Sequence, residues 1–141
     1  MVNQIFFEDI HVGQRESITK LVTAEMIETF AEISGDVNPL HLDADYAATT
    51  RFGERIAHGA LTSSFISAVL GTRLPGIGAV FMSQSMRFLA PVKIGATVEA
   101  IVEVVGCEKN RVSYRTCCMV GDKMVVEGEA LVYVPSQPRA S

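Results

Sequence analysis

The sequence has few cysteines, few charged residues and no long apolar run, and each shortage excludes a class of protein. The three cysteines, Cys107, Cys117 and Cys118, are odd in number and lack Cys-x-x-Cys spacing, which argues against a disulfide framework and a zinc site. Charged residues make up only 20% of the chain and the formal net charge is −4, so we expect no nucleic acid partner. No apolar run approaches the roughly 20 residues that a membrane helix needs, so we expect no membrane span.

The N-terminus and the cysteines together predict a cytoplasmic protein. Residues 1–9 lack a basic region followed by an apolar core, so we expect no secretory signal there. Cys117 and Cys118 are neighbours in a strand-like run, and their side chains should point to opposite faces. We interpret them as small core residues of a protein in a reducing compartment.

Apolar residues, in contrast, are abundant, at 48% of the 141 residues. This length fits a single domain over residues 1–141 and can bury a substantial core. The apolar fraction is high for so small a protein, which predicts a second buried surface such as a subunit interface. We find no internal repeat and no linker, and we expect the polar tail from about residue 135 to fray.

The apolar periodicity predicts three helices and five strands. In chain order they are a strand over 15–23, a helix from Thr23 to Ser34, a short helix to residue 48, a long helix over 59–70 ended by Gly71 and Pro75, and strands over 79–90, 97–105, 112–120 and 124–134. The long helix has no charged face, which is typical of a buried helix. Short turns join the last four strands, so we expect an antiparallel meander. A single sheet wrapped around one buried helix, an α+β fold, buries both elements.

The segment after the first predicted helix combines a carboxylate, an amide and an imidazole around a proline. Gly35 suits the position just past the end of that helix, where a left-handed residue is needed. Asn38 is a good N-cap and Pro39 a good first residue for the next helix. His41 then lies in the first turn of this helix, with Asp36 just outside it. We therefore expect the side chains of Asp36 and His41 to converge at a bend between two helices.

This bend has an electrostatic consequence. The partial positive charge of a helix N-terminus favours an ionised Asp36 and a neutral His41. A carboxylate beside a neutral imidazole can hold one water molecule and exchange protons with it. The structural alternative is that Asp36 and Asn38 only cap the turn, while His41 is an ordinary helix histidine.

Two stretches of the chain carry a family resemblance. The Asp-x-Asn-Pro-x-His pattern within Gly35–His41, followed by Ala57-His58-Gly59, resembles the MaoC-like hot-dog family. Within that family the chain is most similar to the (R)-specific enoyl-CoA hydratases, from Phe7 to Val134. The resemblance implies a hot-dog fold, in which an antiparallel sheet wraps around a long central helix. It also implies reversible syn addition of water to a trans-2-enoyl-CoA, giving an (R)-3-hydroxyacyl-CoA for polyester synthesis or β-oxidation.

The resemblance further implies roles for individual residues. Asp36 and His41 would hold and activate the water, and Asn38 would order the site. The backbone N–H of Gly59 would form the oxyanion hole for the enolate, where a helix N-terminus favours negative charge. Ser67 corresponds to a serine that lines the site in close relatives. The family forms a homodimer that binds the pantetheine arm at its interface, and it uses no metal or cofactor, because CoA is part of the substrate.

Each supporting residue also has a structural alternative. Gly59 is acceptable as a plain helix-start glycine. We interpret His58 as a structural hydrogen-bonding residue, since Asp36 and His41 already supply an acid and a base. The hydroxyl of Ser67 can bond back to its own helix. Arg87 fits either contact with coenzyme phosphates or coverage of apolar surface.

Three rival functions remain open on the sequence. A 3-hydroxyacyl-acyl-carrier-protein dehydratase of the same fold would use the same acid and base in the reverse direction. A non-catalytic acyl-thioester-binding hot-dog subunit would be expected to have a broken motif, whereas this motif is intact. A thioesterase is a weaker alternative, which release of free thiol would reveal.

Overall fold

The computed structural model describes residues 1–139 of the chain. In chain order its helices and strands are β1 Arg15–Leu21, α1 Ala24–Ser34, α2 Pro39–Leu42, α3 Ala44–Ala48, α4 Gly59–Thr72, β2 Val80–Phe88, β3 Thr97–Glu108, β4 Arg111–Val120 and β5 Lys123–Tyr133. A single turn of 3-10 helix at Phe7–Asp9 precedes them. The five strands form one antiparallel sheet, which together with α4 confirms the predicted α+β hot-dog class.

The strand order is β1-β3-β4-β5-β2, so the predicted four-strand meander is wrong. Only β3, β4 and β5 follow one another as neighbours, and β2 pairs with β5 at the far edge. The cause is the connection after β2, where the sequence predicts a short turn. Its backbone bonds to other elements instead of closing a hairpin: Ala57 N–H donates to the Val92 carbonyl at 2.7 Å, and Gly95 N–H donates to the Val22 carbonyl at 2.8 Å.

The core lies between α4 and one face of the sheet. The predicted alternation along β3 is confirmed, because Val98, Ala100, Val102 and Val104 are all 0% exposed. Burying one such valine side chain stabilises the fold by about 1.5–3 kcal/mol, so this apolar row determines which face of the sheet the helix covers. Seven residues of α4 are buried, namely Leu61, Thr62, Ser63, Phe65, Ile66, Val69 and Leu70.

Helix α4 differs from its prediction in two ways. It continues to Thr72, because Gly71 does not adopt the left-handed conformation that ends a helix. It is also not buried all round: a stripe of small residues at helical spacing is exposed in the single chain, consisting of Ala60, Ser64, Ser67 and Gly71.

The helix boundaries that lead to the bend agree with the prediction. Thr23 caps α1 by accepting the Met26 N–H on its hydroxyl at 3.2 Å, and Gly35 ends α1 with φ 82°. Asn38 caps α2 by accepting the Leu40 N–H on its side-chain oxygen at 3.0 Å, with Pro39 as the first helical residue.

The short helix predicted to run to residue 48 is two helices, α2 and α3. Asp43 separates them in an extended conformation, with φ −114° and ψ 106°. Its carboxylate accepts the N–H groups of Asp45 and Tyr46, which caps α3 anew. This capping stabilises the break, because an extended residue interrupts the helical hydrogen bonds.

The N-terminal segment and the first residues of the tail lie side by side. Phe7 N–H donates to the Pro135 carbonyl at 2.9 Å, and Gln137 N–H donates to the Glu8 carboxylate at 2.6 Å. The tail predicted to fray from about residue 135 therefore begins with hydrogen-bonded residues. The end of that prediction, Ala140 and Ser141, lies outside the described residues.

The cysteines are free thiols, and the adjacent pair points to opposite faces of β4 as predicted. Cys118 is fully buried in the core, and burial raises the pKa of its thiol to about 12. Cys117 is only partly buried on the other face. Within residues 1–139, no helix has the length and apolar content to cross a membrane.

Candidate active site

The bend between α1 and α2 brings the side chains of Asp36 and His41 together. Asp36 Oδ1 accepts the Asn38 N–H at 3.2 Å, while Oδ2 lies 4.0 Å from His41 Nε2. That separation is too long for a direct hydrogen bond but suits one bridging water molecule. The Asp36 side chain is 52% exposed, so water reaches it freely, whereas the His41 side chain is only 12% exposed. The structure therefore has the paired arrangement that the sequence predicts.

The backbone of the segment before α4 holds the ring of His41. His41 Nδ1 lies 2.8 Å from the Ile56 carbonyl oxygen. A carbonyl can only accept, so Nδ1 carries the hydrogen in the neutral ring and Nε2 presents its lone pair. The atom that faces Asp36 is thus free to accept a proton.

Arg55 supports His41 from the same segment. Its Nε–H donates to the His41 carbonyl at 2.7 Å, and its guanidinium lies 3.9 Å from the Glu28 carboxylate on α1. The Arg55 side chain is largely buried, at 16% exposed. Arg55 thereby connects α1, α2 and the segment before α4.

His58, the N-cap residue of α4, contacts both members of the pair. The residue is 2% exposed, and Nε2 lies 2.9 Å from the Asp36 carbonyl oxygen. Nε2 is therefore the donor. The ring also stacks on His41, with centroids 3.9 Å apart and planes at 28°. The ring of Phe30 lies at a tilt, 4.9 Å away.

Gly59 begins α4 directly after His58. The first bond within the helix runs from Thr62 N–H to the His58 carbonyl, so the amide of Gly59 precedes it and has no partner inside the helix. The ring of Phe88 packs against Gly59: a Cβ added there would lie 2.7 Å from the ring. A side chain at this position would therefore displace Phe88.

An apolar cleft of about 550 Å³ opens beside these residues. His41 and Gly59 both line it, which brings one member of the pair and the first residue of α4 to the same cavity. Arg51 contributes a cation to its lining, and the apolar part of the wall is formed mainly by Phe52, Ile56, Phe88, Leu89, Val92 and Val126. This volume lies within the range of about 300–1,000 Å³ typical of small-ligand pockets.

The structure does not bring every predicted residue to this cleft. Asp36, Asn38 and His58 lie next to His41 but do not line the cavity, and Ser67 is exposed elsewhere on α4. Arg87, whose role the sequence leaves open, forms an ion pair with Glu127 on the neighbouring strand.

Sequence reasoning missed the contribution of Arg55 and Ile56. Both act on His41 from about 15 residues away in the chain, Ile56 through its backbone carbonyl, which leaves no trace in residue type. The one signal in the sequence was that Arg55 directly precedes the apolar pair Ile56-Ala57. An arginine beside apolar residues is a candidate for burial, and a charged residue is rarely buried without a partner.

The same cluster also has donor atoms that metal ions use. One donor atom each from Asp36, His41 and His58 lies within 4.8 Å of the others. The Asp36–His41 separation of 4.0 Å is wider than the spacing of about 3.4 Å expected for two ligands, each about 2.1 Å from a tetrahedral ion.

These contacts predict opposite tautomers for two stacked histidines. Neutral His41 should carry its hydrogen on Nδ1, which donates to the Ile56 carbonyl, and neutral His58 should carry it on Nε2, which donates to the Asp36 carbonyl. Long-range nitrogen–proton NMR correlations of ring-labelled protein distinguish the two forms. The same tautomer at both rings would contradict the hydrogen bonding described above.

The chain is similar to known proteins in both sequence and structure. The family model described as the MaoC like domain matches residues 8–128. The chain is 54% identical over 134 residues to the (R)-specific enoyl-CoA hydratase of Rhodospirillum rubrum, covering 94% of this chain and 93% of that one. It is 51% identical over 138 residues to the 3-hydroxybutyryl-CoA dehydratase of Methylorubrum extorquens, covering 96% and 88%. An unliganded R-hydratase structure from Pseudomonas aeruginosa superposes with a TM-score of 0.92 at 40% identity, covering 99% and 97%. The chain therefore belongs to the MaoC-like family.

Proposed function

We propose that the protein is an (R)-specific enoyl-CoA hydratase, a hydro-lyase that adds water reversibly to a trans-2-enoyl-CoA. The identities of 54% and 51% to a hydratase and a dehydratase of CoA thioesters, over nearly the whole chain, support this activity. The observation that carries it in the structure is the 4.0 Å gap between Asp36 Oδ2 and His41 Nε2, beside an apolar cleft that also holds Gly59.

In the proposed mechanism, one water molecule lies between Asp36 and His41. Both Oδ2 of the ionised carboxylate and Nε2 of the neutral ring are acceptors, so the water donates a hydrogen to each and keeps a lone pair for the substrate. The water oxygen bonds to the β-carbon as one group of the pair takes its proton. The group that has taken this proton then acts as the acid and delivers it to the α-carbon, while the second hydrogen of the water stays on the new hydroxyl. Both transfers come from one side of the substrate, which accounts for syn addition.

The developing charge falls on the thioester oxygen, because addition at the β-carbon produces an enolate. The Gly59 amide is the proposed donor to that oxygen. It lies at the N-terminus of α4, where the helix dipole favours negative charge, and it has no partner inside its own helix. A preorganised donor of this kind lowers the barrier by about 3 kcal/mol.

This mechanism requires no metal and no cofactor. Asp36 and His41 supply the acid and the base, Gly59 supplies the oxyanion contact, and CoA belongs to the substrate. The free thiols of the three cysteines are consistent with the cytoplasmic location that we also propose.

We also propose that the protein acts as a homodimer. Strand β2 is hydrogen-bonded on one side only and carries exposed apolar side chains, including Phe81, Met82 and Phe88. An unpaired apolar edge favours pairing with another strand, and an identical copy satisfies it through a two-fold axis. Phe88 also lines the cleft, so a partner on this edge would border the site. The exposed small residues of α4, Ser67 among them, offer a second surface for close packing.

The proposed activity predicts loss of enoyl-thioester absorbance when crotonyl-CoA is added to the protein. Chiral analysis should identify (R)-3-hydroxybutyryl-CoA as the product. The matched crotonyl-acyl-carrier-protein should react more slowly, since CoA thioesters are the substrates named for the two relatives above. The (S) product, release of free thiol, or a faster reaction on the carrier protein would each refute the proposal in this form.

Substitution of the pair should abolish most of this activity. Asp36→Asn and His41→Gln should each reduce the hydration rate by at least about a hundredfold, because acid–base groups contribute about 10²–10⁴-fold. Asp45→Asn and His11→Gln change the same residue types at exposed positions and should retain full activity. Circular dichroism checks that all four variants fold. Normal hydration by either Asp36→Asn or His41→Gln would rule out the water pair.

The role of the Gly59 amide can be separated from the need for a small residue. Gly59→Ala and Gly59→Pro both add a Cβ that meets the Phe88 ring, but only proline removes the N–H. Proline is tolerated as the first residue of a helix, and the extended backbone of His58, with ψ 136°, is compatible with a following proline. Relative to Gly59→Ala, we expect Gly59→Pro to lose a further factor of about 10²–10³ in kcat. Equal rates for the two variants would remove Gly59 from the mechanism.

The dimer predicts a mass of twice the 15.3 kDa chain in light scattering of the purified protein. Phe81→Lys places a charge on the exposed edge of β2 and should shift the protein to the monomer. Lys20→Glu, at an exposed position on the opposite edge strand β1, is the control and should leave the dimer intact. A wild-type protein that is monomeric at micromolar concentration would contradict the proposal.

A further inference from the structure

His58 is a polar residue in a place where an apolar one would be expected. The residue is 2% exposed, yet its buried Nδ1 has no hydrogen-bond partner among the described residues. An unsatisfied buried nitrogen destabilises the fold, and a phenylalanine of similar size would avoid that cost. We therefore look for the role of this histidine in the contacts of its Nε2 and of its ring face.

The ring makes two contacts, one with Asp36 and one with His41. The Nε2–H of His58 donates to the carbonyl of Asp36 at 2.9 Å. The face of the same ring stacks on the ring of His41, with the centroids 3.9 Å apart. The segment that carries Asp36, from the end of α1 to the start of α2, is exposed at every residue from Glu32 to Pro39. The hydrogen bond from His58 thus connects this exposed segment to the buried N-cap residue of α4.

We propose that His58 is a positioning residue that sets the gap between Asp36 and His41. The hydrogen bond fixes the backbone of Asp36 and the stacking fixes the plane of His41, so one rigid ring controls both sides of the 4.0 Å separation. The separation matters because the proposed mechanism places one water in this gap, and a displaced acceptor would misalign that water with the substrate.

His58 also couples this gap to the proposed oxyanion contact. It is the N-cap residue of α4, and its carbonyl accepts the first helical N–H, from Thr62. The next residue is Gly59, which lines the cleft. His58 therefore fixes the position of Asp36 and His41 relative to the Gly59 amide. The kinetic consequences of this role rest on the hydratase activity proposed above, whereas the geometric consequences do not.

Two substitutions separate the two contacts. His58→Phe keeps a stacking ring and removes the donor to the Asp36 carbonyl. His58→Gln keeps an amide donor at a similar reach and removes the ring. We expect each variant to retain KM within about threefold and to lose at least about tenfold in kcat, because misplacement of acting groups affects the chemical step more than substrate binding. Val69→Ala, in the buried part of α4 away from the pair, controls for loss of stability and should keep kcat.

A double substitution distinguishes positioning from general structural support. If His58 acts through Asp36, adding His58→Phe to Asp36→Asn should reduce kcat by less than about threefold, although it costs at least about tenfold in the wild-type background. Equal losses in both backgrounds, or full kcat in both single variants, would overturn the proposal.

A structural readout keeps the proposal testable if the activity itself proves different. Crystal structures of the wild type and of His58→Phe should show the Asp36 Oδ2–His41 Nε2 separation changing by at least about 1 Å, the scale at which misplacement becomes costly. An unchanged separation would overturn the positioning role. Absence of hydration by the wild type would refute only the proposed function, and a variant that does not fold would leave His58→Gln to make the same measurement.

Discussion

The hydrogen bond between His41 Nδ1 and the Ile56 carbonyl, 2.8 Å long, decides what the site can do. It places the ring hydrogen on the buried side and leaves the lone pair of Nε2 toward Asp36. With the opposite tautomer, Nε2 would donate to the carboxylate side and could not accept a proton from water. Arg55 reinforces the arrangement by binding the carbonyl of the same histidine. The backbone carbonyl of Ile56 thus leaves Nε2 of His41 able to accept a proton.

The fold serves to bring two separate stretches into contact. One is the bend between α1 and α2, and the other is the extended segment that enters α4. The sheet covers α4 through the buried face of β3. The connection after β2 returns to the same region, where Val92 accepts the Ala57 N–H at 2.7 Å. The apolar cleft forms between these pieces, and His41 is the member of the pair that lines it.

The local features of this site could be predicted from the sequence because they depend on near neighbours. Thr23, Gly35 and Asn38 are capping residues whose effect reaches only a few positions, and each acts as predicted. The alternation of valines along β3 likewise follows from local patterning. The convergence of Asp36 and His41 follows from the same bend, since only four residues separate them.

Features that depend on distant partners could not be predicted in this way. The turn signals after β2 resemble those of a hairpin, and only the pairing of β2 with β5 shows that they are not. The support given to His41 by Ile56 and Arg55 depends on how the chain returns to α2. The family resemblance assigned Ser67 to the site, but the position is exposed in a single chain. The burial of Ser67 therefore depends on whether a second copy of the chain covers it, which the sequence of one chain does not determine.

The central claim is that an enoyl thioester lies between the water pair and the Gly59 amide. The most direct measurement is a crystal structure of the Asp36→Asn variant with crotonyl-CoA bound. We expect the thioester oxygen within about 2.7–3.2 Å of Gly59 N and the β-carbon facing the gap between residue 36 and His41. A thioester oxygen bound elsewhere, or a β-carbon turned away from that gap, would contradict the account.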